Sequence, residues 1–274
     1  MRRKTAVKGT FYPASEKEIE LFIESHLDKI ATKKEAKGLI LPHAGYIYSA
    51  KTAIKALERV YPKDKILMLG PNHTGWGKPF SFTEADLWES VFQNVDIDKE
   101  LIQDITNKCP LIDIDEQAHL REHSLEVELP LLNYFFYKKL QKNFKIAPLI
   151  CAGAQLSTLI NIAECLGECL KDEKDNLLII SSSDMTHYEP EKEAREKDQR
   201  ALERILSLNA EDFFTYVEKY NITICGVYPI TIMLKLINIL YPEAKAELVD
   251  YSTSADVTQD KTSVVGYSSV IIYN

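Results

Sequence analysis

The sequence predicts an α/β fold: a single domain, residues 1–274, whose central mixed, largely parallel sheet is flanked by helices on both faces. Three observations lead there. Short apolar, β-branched runs alternate with longer amphipathic segments along the whole chain, the pattern of strand–helix–strand units. The last two apolar runs have no helical segment between them, so the sheet is expected to be mixed rather than wholly parallel. No Pro- or Gly-rich linker, block of like charge or internal repeat divides the chain.

In chain order, a helix is expected over 16–29, where Ile19, Phe22 and Ile23 recur at helical spacing. A strand over 38–41 follows, then a helix over 49–60 and a strand over 65–69, both strands being short apolar runs. Helices are expected over 99–106 and 124–138, with Ser124 as N-cap and Glu126 and Glu128 in a first turn. A strand over 145–150, a helix over 156–171 and a strand over 177–181 continue the alternation. The segment 192–206 is helical with a strongly charged first half, which reads as a solvated face. Helices over 210–219 and 229–240 precede the closing strands at 246–251 and 264–272; Pro229 suits a first helical turn. The aromatic clusters Tyr134 to Tyr137 and Phe213 to Tyr216 fall inside helical patterns and belong to the core.

Bulk composition narrows the function. With 274 residues, 45% hydrophobic and 27% charged, the chain can bury a sizeable core and is not a disordered sequence. Thirty-three basic against 41 acidic side chains leave a net charge of −8, which argues against nucleic acid or an anionic membrane held by bulk charge. No apolar run approaches the ~20 residues of a membrane span. Basic residues at positions 2–4 are not followed by an apolar stretch, so a secretory leader is not expected. Five cysteines, none in a CxxC pair, suggest reduced thiols in a cytoplasmic protein. Neither a Walker A loop, GxGxxG, GxSxG nor HExxH occurs.

Three segments carry unusual residues. His43 follows the strand ending at Leu41, His73 the strand ending at Leu69, and His187 the strand ending at Ser181. Open α/β sheets bind ligands beyond the carboxyl ends of their strands. Cys225, ahead of a helix, can reach the same crevice, and imidazole and thiolate together suit iron, copper or zinc. The alternative makes His43 and His73 hydrogen-bonded loop residues and Cys225 a small buried hydrophobe. Asp184, three residues before His187, can orient or charge-stabilise it as an acid or base, or else simply cap a turn. His119 and His123 lie four apart, but without the Glu of a zincin helix. His123 and Tyr46, the latter next to His43, are candidate ligand-contacting residues.

On these residues the sequence resembles the Memo family, also called AmmeMemoRadiSam system protein B. The matching segments are Gly9-Thr10-Phe11-Tyr12-Pro13, Pro42-His43-Ala44-Gly45-Tyr46, Gly70-Pro71-Asn72-His73, Glu122-His123-Ser124-Leu125-Glu126, Ser182-Ser183-Asp184-Met185-Thr186-His187, Cys225-Gly226 and Ser263-Val264-Val265-Gly266-Tyr267. The resemblance implies the fold of LigB-type class III extradiol dioxygenases, which hold non-haem iron with two histidines and a carboxylate. It places a cysteine at the carboxylate position, so that His43, His73 and Cys225 become the metal ligands, iron foremost and copper or zinc as alternatives. Asp184 and His187 then stand beside the metal, His187 matching the dioxygenase acid/base. A metal-dependent redox enzyme is the leading expectation. A non-catalytic module binding a peptide or protein in the same cleft, and a zinc hydrolase, are the alternatives. The family name also implies association with a radical SAM protein.

Overall fold

The computed structural model describes residues 1–28 and 31–274. Along the chain β1 (Arg2–Arg3) leads to α1 (Glu16–Glu24), β2 (Ala36–Leu41), α2 (Tyr46–Leu57), β3 (Lys65–Pro71), β4 (Phe80–Phe82), β5 (Leu87–Trp88) and β6 (Val95–Ile97). Next come α3 (Lys99–Lys108), β7 (Asp113–Ile114), α4 (Leu129–Leu132), β8 (Lys145–Cys151), α5 (Leu156–Leu170), β9 (Leu177–Ser182) and β10 (His187–Glu189). The last part holds α6 (Glu191–Leu206), α7 (Ala210–Lys219), α8 (Val227–Leu240), β11 (Lys245–Thr253), α9 (Ala255–Thr258) and β12 (Val264–Tyr273).

The strands β6, β8, β3, β9 and β2 run parallel and adjacent in that order. β12 joins β2 antiparallel and β11 joins β12 antiparallel, so the sheet is mixed as expected. β2, β3, β8 and β9 are buried almost throughout, which is why their residues form continuous apolar runs instead of alternating. β11 is only half-buried along most of its length and reads as an edge. α8 packs on β2, β3, β8 and β9, while α2 packs on β2, β11 and β12. Ten α8 residues are buried, the mark of a helix surrounded by protein rather than laid on a surface.

The longer expected elements recur with ends moved by a few residues. α1 stops at Glu24, with the Ser25 amide bonding back to Leu21; the far end of the expected 16–29 helix, at Lys29, falls outside the described residues. The expected 124–138 helix is not continuous. Residues 124–128 form turns, α4 begins at Leu129, and Asn133–Lys138 continue as a π-helix. Ser124 is not an N-cap, because its hydroxyl donates to the Pro71 carbonyl, and Glu126 is occupied by the buried guanidinium of Arg3. The short strands β1, β4 to β7 and β10 went unforeseen: two or three residues carry no readable periodicity. On α6 the buried residues are Ala194, Asp198, Ala201, Leu202 and Ile205, leaving the rest of the charged helix to solvent.

The cysteines need a correction. Cys109 and Cys165 form a disulfide between the end of α3 and α5, so the five thiols are not all reduced. Among the described residues no helix is long and apolar enough to cross a membrane.

Candidate metal centre

β3, β9 and β2 are neighbours, and the segments leaving their carboxyl ends build one crevice. His73 comes off β3, Ser182 to Asp184 off β9, and His43 off β2. A fourth segment, 119–128, closes in from the side. It approaches so near that a Cβ on Gly70 would stand 2.7 Å from Leu125 and 2.8 Å from the Ser124 hydroxyl. The fifth is the start of α8. A Cβ on Gly226 would lie 2.3 Å from that of Ser183, so only glycine lets Cys225 reach the end of β9.

His43, His73 and His123 converge, each offering a nitrogen within 4.8 Å of the others. The rings of His73 and His123 stack at 4.6 Å, and that of His43 meets them edge-on at 5.1 and 5.6 Å. His43 is buried, whereas the side chain of His73 is 32% exposed.

Hydrogen bonds fix which nitrogen each ring offers. The Ser182 hydroxyl donates to the Ser124 carbonyl at 2.9 Å, so it accepts from His43 Nδ1–H at 2.8 Å. That leaves the His43 Nε2 lone pair free. His73 Nδ1–H donates to Glu122 Oε1 at 2.9 Å, freeing its Nε2 in the same way. A carboxylate behind an imidazole, as Glu122 is behind His73, is a usual support of a metal-ligating histidine. Burial drives the His43 pKa well below its ordinary value, and the neighbouring His73 and His123 push it the same way, so the ring stays neutral and able to ligate.

Glu122 organises this corner. It accepts from the His73 amide at 2.6 Å and from the amides of His123 and Ser124, each at 2.9 Å. Burial pushes its carboxyl up, but the His73 ring and these amides outweigh burial and hold it at about 2. Arg3 stabilises the same segment from behind, donating to the carbonyls of His119 and Glu122 and pairing with Glu126 at 2.9 Å. Glu126 also takes the amides of Ala6 and Val7 and the Tyr12 hydroxyl. Neither Glu122, Ser182 nor Arg3 was singled out from sequence. An acid beside His123 was the available signal for Glu122, and helix capping masked it.

Cys225 reaches the crevice. Its Sγ lies 3.4 Å from His43 Nε2 and accepts the Asp184 amide at 3.2 Å. Ligand bonds of about 2.0 Å to nitrogen and about 2.3 Å to sulfur set at a tetrahedral angle place the two atoms about 3.5 Å apart, so the separation suits a shared ion. Burial pushes the Cys225 thiol up, and the nearby Asp184 carboxyl adds to it. Asp184 Oδ1 accepts the amides of His43 at 2.9 Å and Ala44 at 3.3 Å. Its own burial pushes its pKa up to about 6. His187 sits nearby on β10, half-buried, with Nδ1–H donating to the Thr223 carbonyl at 2.8 Å and Nε2 left as the basic nitrogen.

Tyr46 is placed differently from expectation. It is the first residue of α2, buried at 2% exposure, with its hydroxyl donating to the Val127 carbonyl at 3.0 Å. It belongs to the core, packed against Tyr12 and Phe22. His119, also buried, gives one ring nitrogen to the Ser81 carbonyl and faces away from the other histidines, toward Trp88.

The fold has a counterpart in a solved structure of an uncharacterized protein from Escherichia coli K12, with a TM-score of 0.56 over 85% of this chain and 98% of that one; at 11% identity this is a likeness of fold alone. A MEMO1 family protein of Aquifex aeolicus is 40% identical over 270 residues, covering 98% of both chains. One from Methanocaldococcus jannaschii is 36% identical over 285 residues, again covering 98% of both. The family model described as Memo-like protein matches residues 3–271, and the chain belongs to the Memo family.

Proposed function

We propose that the crevice is the active site of a metal-dependent redox enzyme, with His43, His73 and Cys225 as ligands, iron as the favoured metal and copper as the alternative; zinc there would make it a hydrolase instead. The side chains that converge within 4.8 Å are His43, His73 and His123, so His123 can supply a further nitrogen. Bound there, a redox-active ion supplies one-electron and dioxygen chemistry. The chain's own residues do the rest. Ser182 and Glu122 hold the rings of His43 and His73 in the tautomers that ligate. Cys225, held protonated by burial, would give up its proton to a bound cation, and the Asp184 amide would support the thiolate. His187 Nε2 is free to take or return a proton, with Asp184 beside it as a charge partner.

The observation that carries this reading is the convergence of nitrogens from His43, His73 and His123, with the Cys225 sulfur 3.4 Å from His43 Nε2. It is tested by measuring metal content after anaerobic purification of the wild type and of His43→Ala, His73→Ala and Cys225→Ser. Near-stoichiometric metal in the wild type and loss in the variants is expected. Unchanged metal in all three removes the reading.

A second reading, a cleft that binds a peptide or partner protein without chemistry, is favoured by exposed aromatic side chains close in sequence to two of the histidines. Tyr188, next to His187, is 79% exposed and Trp76, three residues past His73, is 46% exposed. Association with a radical SAM protein follows from the family name alone and is tested by co-purification. Partner capture that survives metal removal but fails in His187→Trp supports the binding module over the enzyme.

A further inference from the structure

Three of the five cysteines lie away from the histidines, between α3 and α5. Cys109, the buried residue that ends α3, is bonded to Cys165. Cys169 follows one turn later on α5, and its sulfur lies 3.9 Å from that of Cys109. All three sulfurs fall within 4.8 Å of one another. Cys165 and Cys169 are both half-exposed residues of α5, and both sulfurs lie close to the one buried partner. A crosslink between two helices needs two cysteines. A third thiol at van der Waals distance from the bond has a chemical consequence, since a thiolate in that position attacks a disulfide sulfur.

We propose that Cys109, Cys165 and Cys169 form a thiol–disulfide exchange site in which Cys109 is the fixed sulfur and the two α5 cysteines are its alternating partners. In the internal step the Cys169 thiolate bonds to Cys109 Sγ as the Cys109–Cys165 bond breaks. The electron pair leaves on Cys165, which takes up a proton. One disulfide and one thiol stand on each side, so no oxidant or reductant is consumed. The outside reactant of matching chemistry is a dithiol. It enters at half-exposed Cys165, is itself oxidised to a disulfide, and leaves Cys109 and Cys165 as thiols. Burial pushes the Cys169 thiol up, Lys108 on α3 draws it down, and Glu168 on α5 and Asp104 on α3 oppose that cation. Exchange therefore runs on a small thiolate fraction and stops on acidification.

The test uses the full-length chain. Wild type, Cys165→Ser and Cys169→Ser are equilibrated in a glutathione redox buffer at about pH 8, where thiolate is populated, then acid-quenched, alkylated and mapped by peptide mass spectrometry. The wild type is expected to contain both isomers, with Cys109–Cys169 making up about 5% or more of the oxidised chains, a ratio that a modest difference in bond stability permits. Cys165→Ser is expected to close Cys109–Cys169, and Cys169→Ser to keep Cys109–Cys165. A wild type with less than that share of Cys109–Cys169 overturns the proposal, whether or not Cys165→Ser closes. So does a folded Cys165→Ser that stays a dithiol in the buffer that oxidises the wild type. Should Cys165→Ser fail to fold, the wild-type isomer ratio decides alone.

Discussion

Glu122 grips His73 at two points, its backbone amide at 2.6 Å and its ring Nδ1 at 2.9 Å, across 49 residues of sequence. One carboxylate thereby sets both the position of the loop after β3 and the tautomer of its imidazole. Glu122→Gln keeps the size and some of the hydrogen bonding but removes the charge. Metal affinity is expected to fall about 10- to 100-fold, the usual cost of losing an acid behind a ligating histidine. Competition titration against a chelator measures it, and an unchanged affinity would disconnect Glu122 from the centre.

Arg3 and Glu126 form an ion pair in which both side chains are 1% exposed. Removing one partner strands a charge with its desolvation uncompensated. Glu126→Leu or Arg3→Met is expected to cost about 3–5 kcal/mol in denaturant unfolding. The double variant is expected to recover much of that, because no charge is left buried. Additive losses would mean that the pair acts through other contacts, such as the Tyr12 hydroxyl.

His119 gives the stability a pH signature. Burial lowers its pKa from 6.5 to about 3. Between those values the unfolded chain binds the proton and the folded chain does not, so stability falls as the pH drops from about 6.5 toward 3. The slope is about 1.4 kcal/mol per pH unit for this one group. His119→Gln should flatten that part of the curve relative to wild type. Equal slopes in the two proteins would refute the assignment.

Glu128 acts in the opposite sense. Burial, with Asp184 adding to it, raises its carboxyl well above 4.5. The folded chain thus holds a proton that the unfolded chain releases, and stability is lost as the pH rises above 4.5 toward the folded value. Glu128→Gln, neutral at every pH, is expected to gain on the wild type progressively over that interval. A stability difference that stays flat with pH would count against it.

Gly226 tests the approach of α8 to β9. Gly226→Ala puts a methyl 2.3 Å from Ser183 Cβ and 2.8 Å from the Ser182 carbonyl. Loss of about 1–3 kcal/mol is expected from the overpacking, together with weaker metal retention because Cys225 is displaced. Unaltered unfolding and retention would show that the backbone yields without cost.

The sequence made the sheet legible because β2, β3, β8 and β9 are buried on both faces and read as plain apolar runs. It also made His43, His73 and Asp184 legible as crevice residues, since strand ends mark where an α/β sheet binds. The segment 119–128 was misread for a physical reason. Ser124 and Glu126 have the chemistry of a helix start, but their partners, Pro71 and Arg3, lie 53 and 123 residues away. Local preference cannot foresee a distant partner. The same holds for His123, whose place beside His73 depends on that loop, and for Tyr46, whose hydroxyl is taken by Val127. Cysteine pairing lies between helices and leaves no trace in spacing.

Of the paired imidazoles, His43 is shut away at 2% exposure while His73 keeps a third of its side chain in water. The group therefore has an inner and an outer member: solvent meets His73, whose ring and amide are both fixed by Glu122, while His43 is sealed from it.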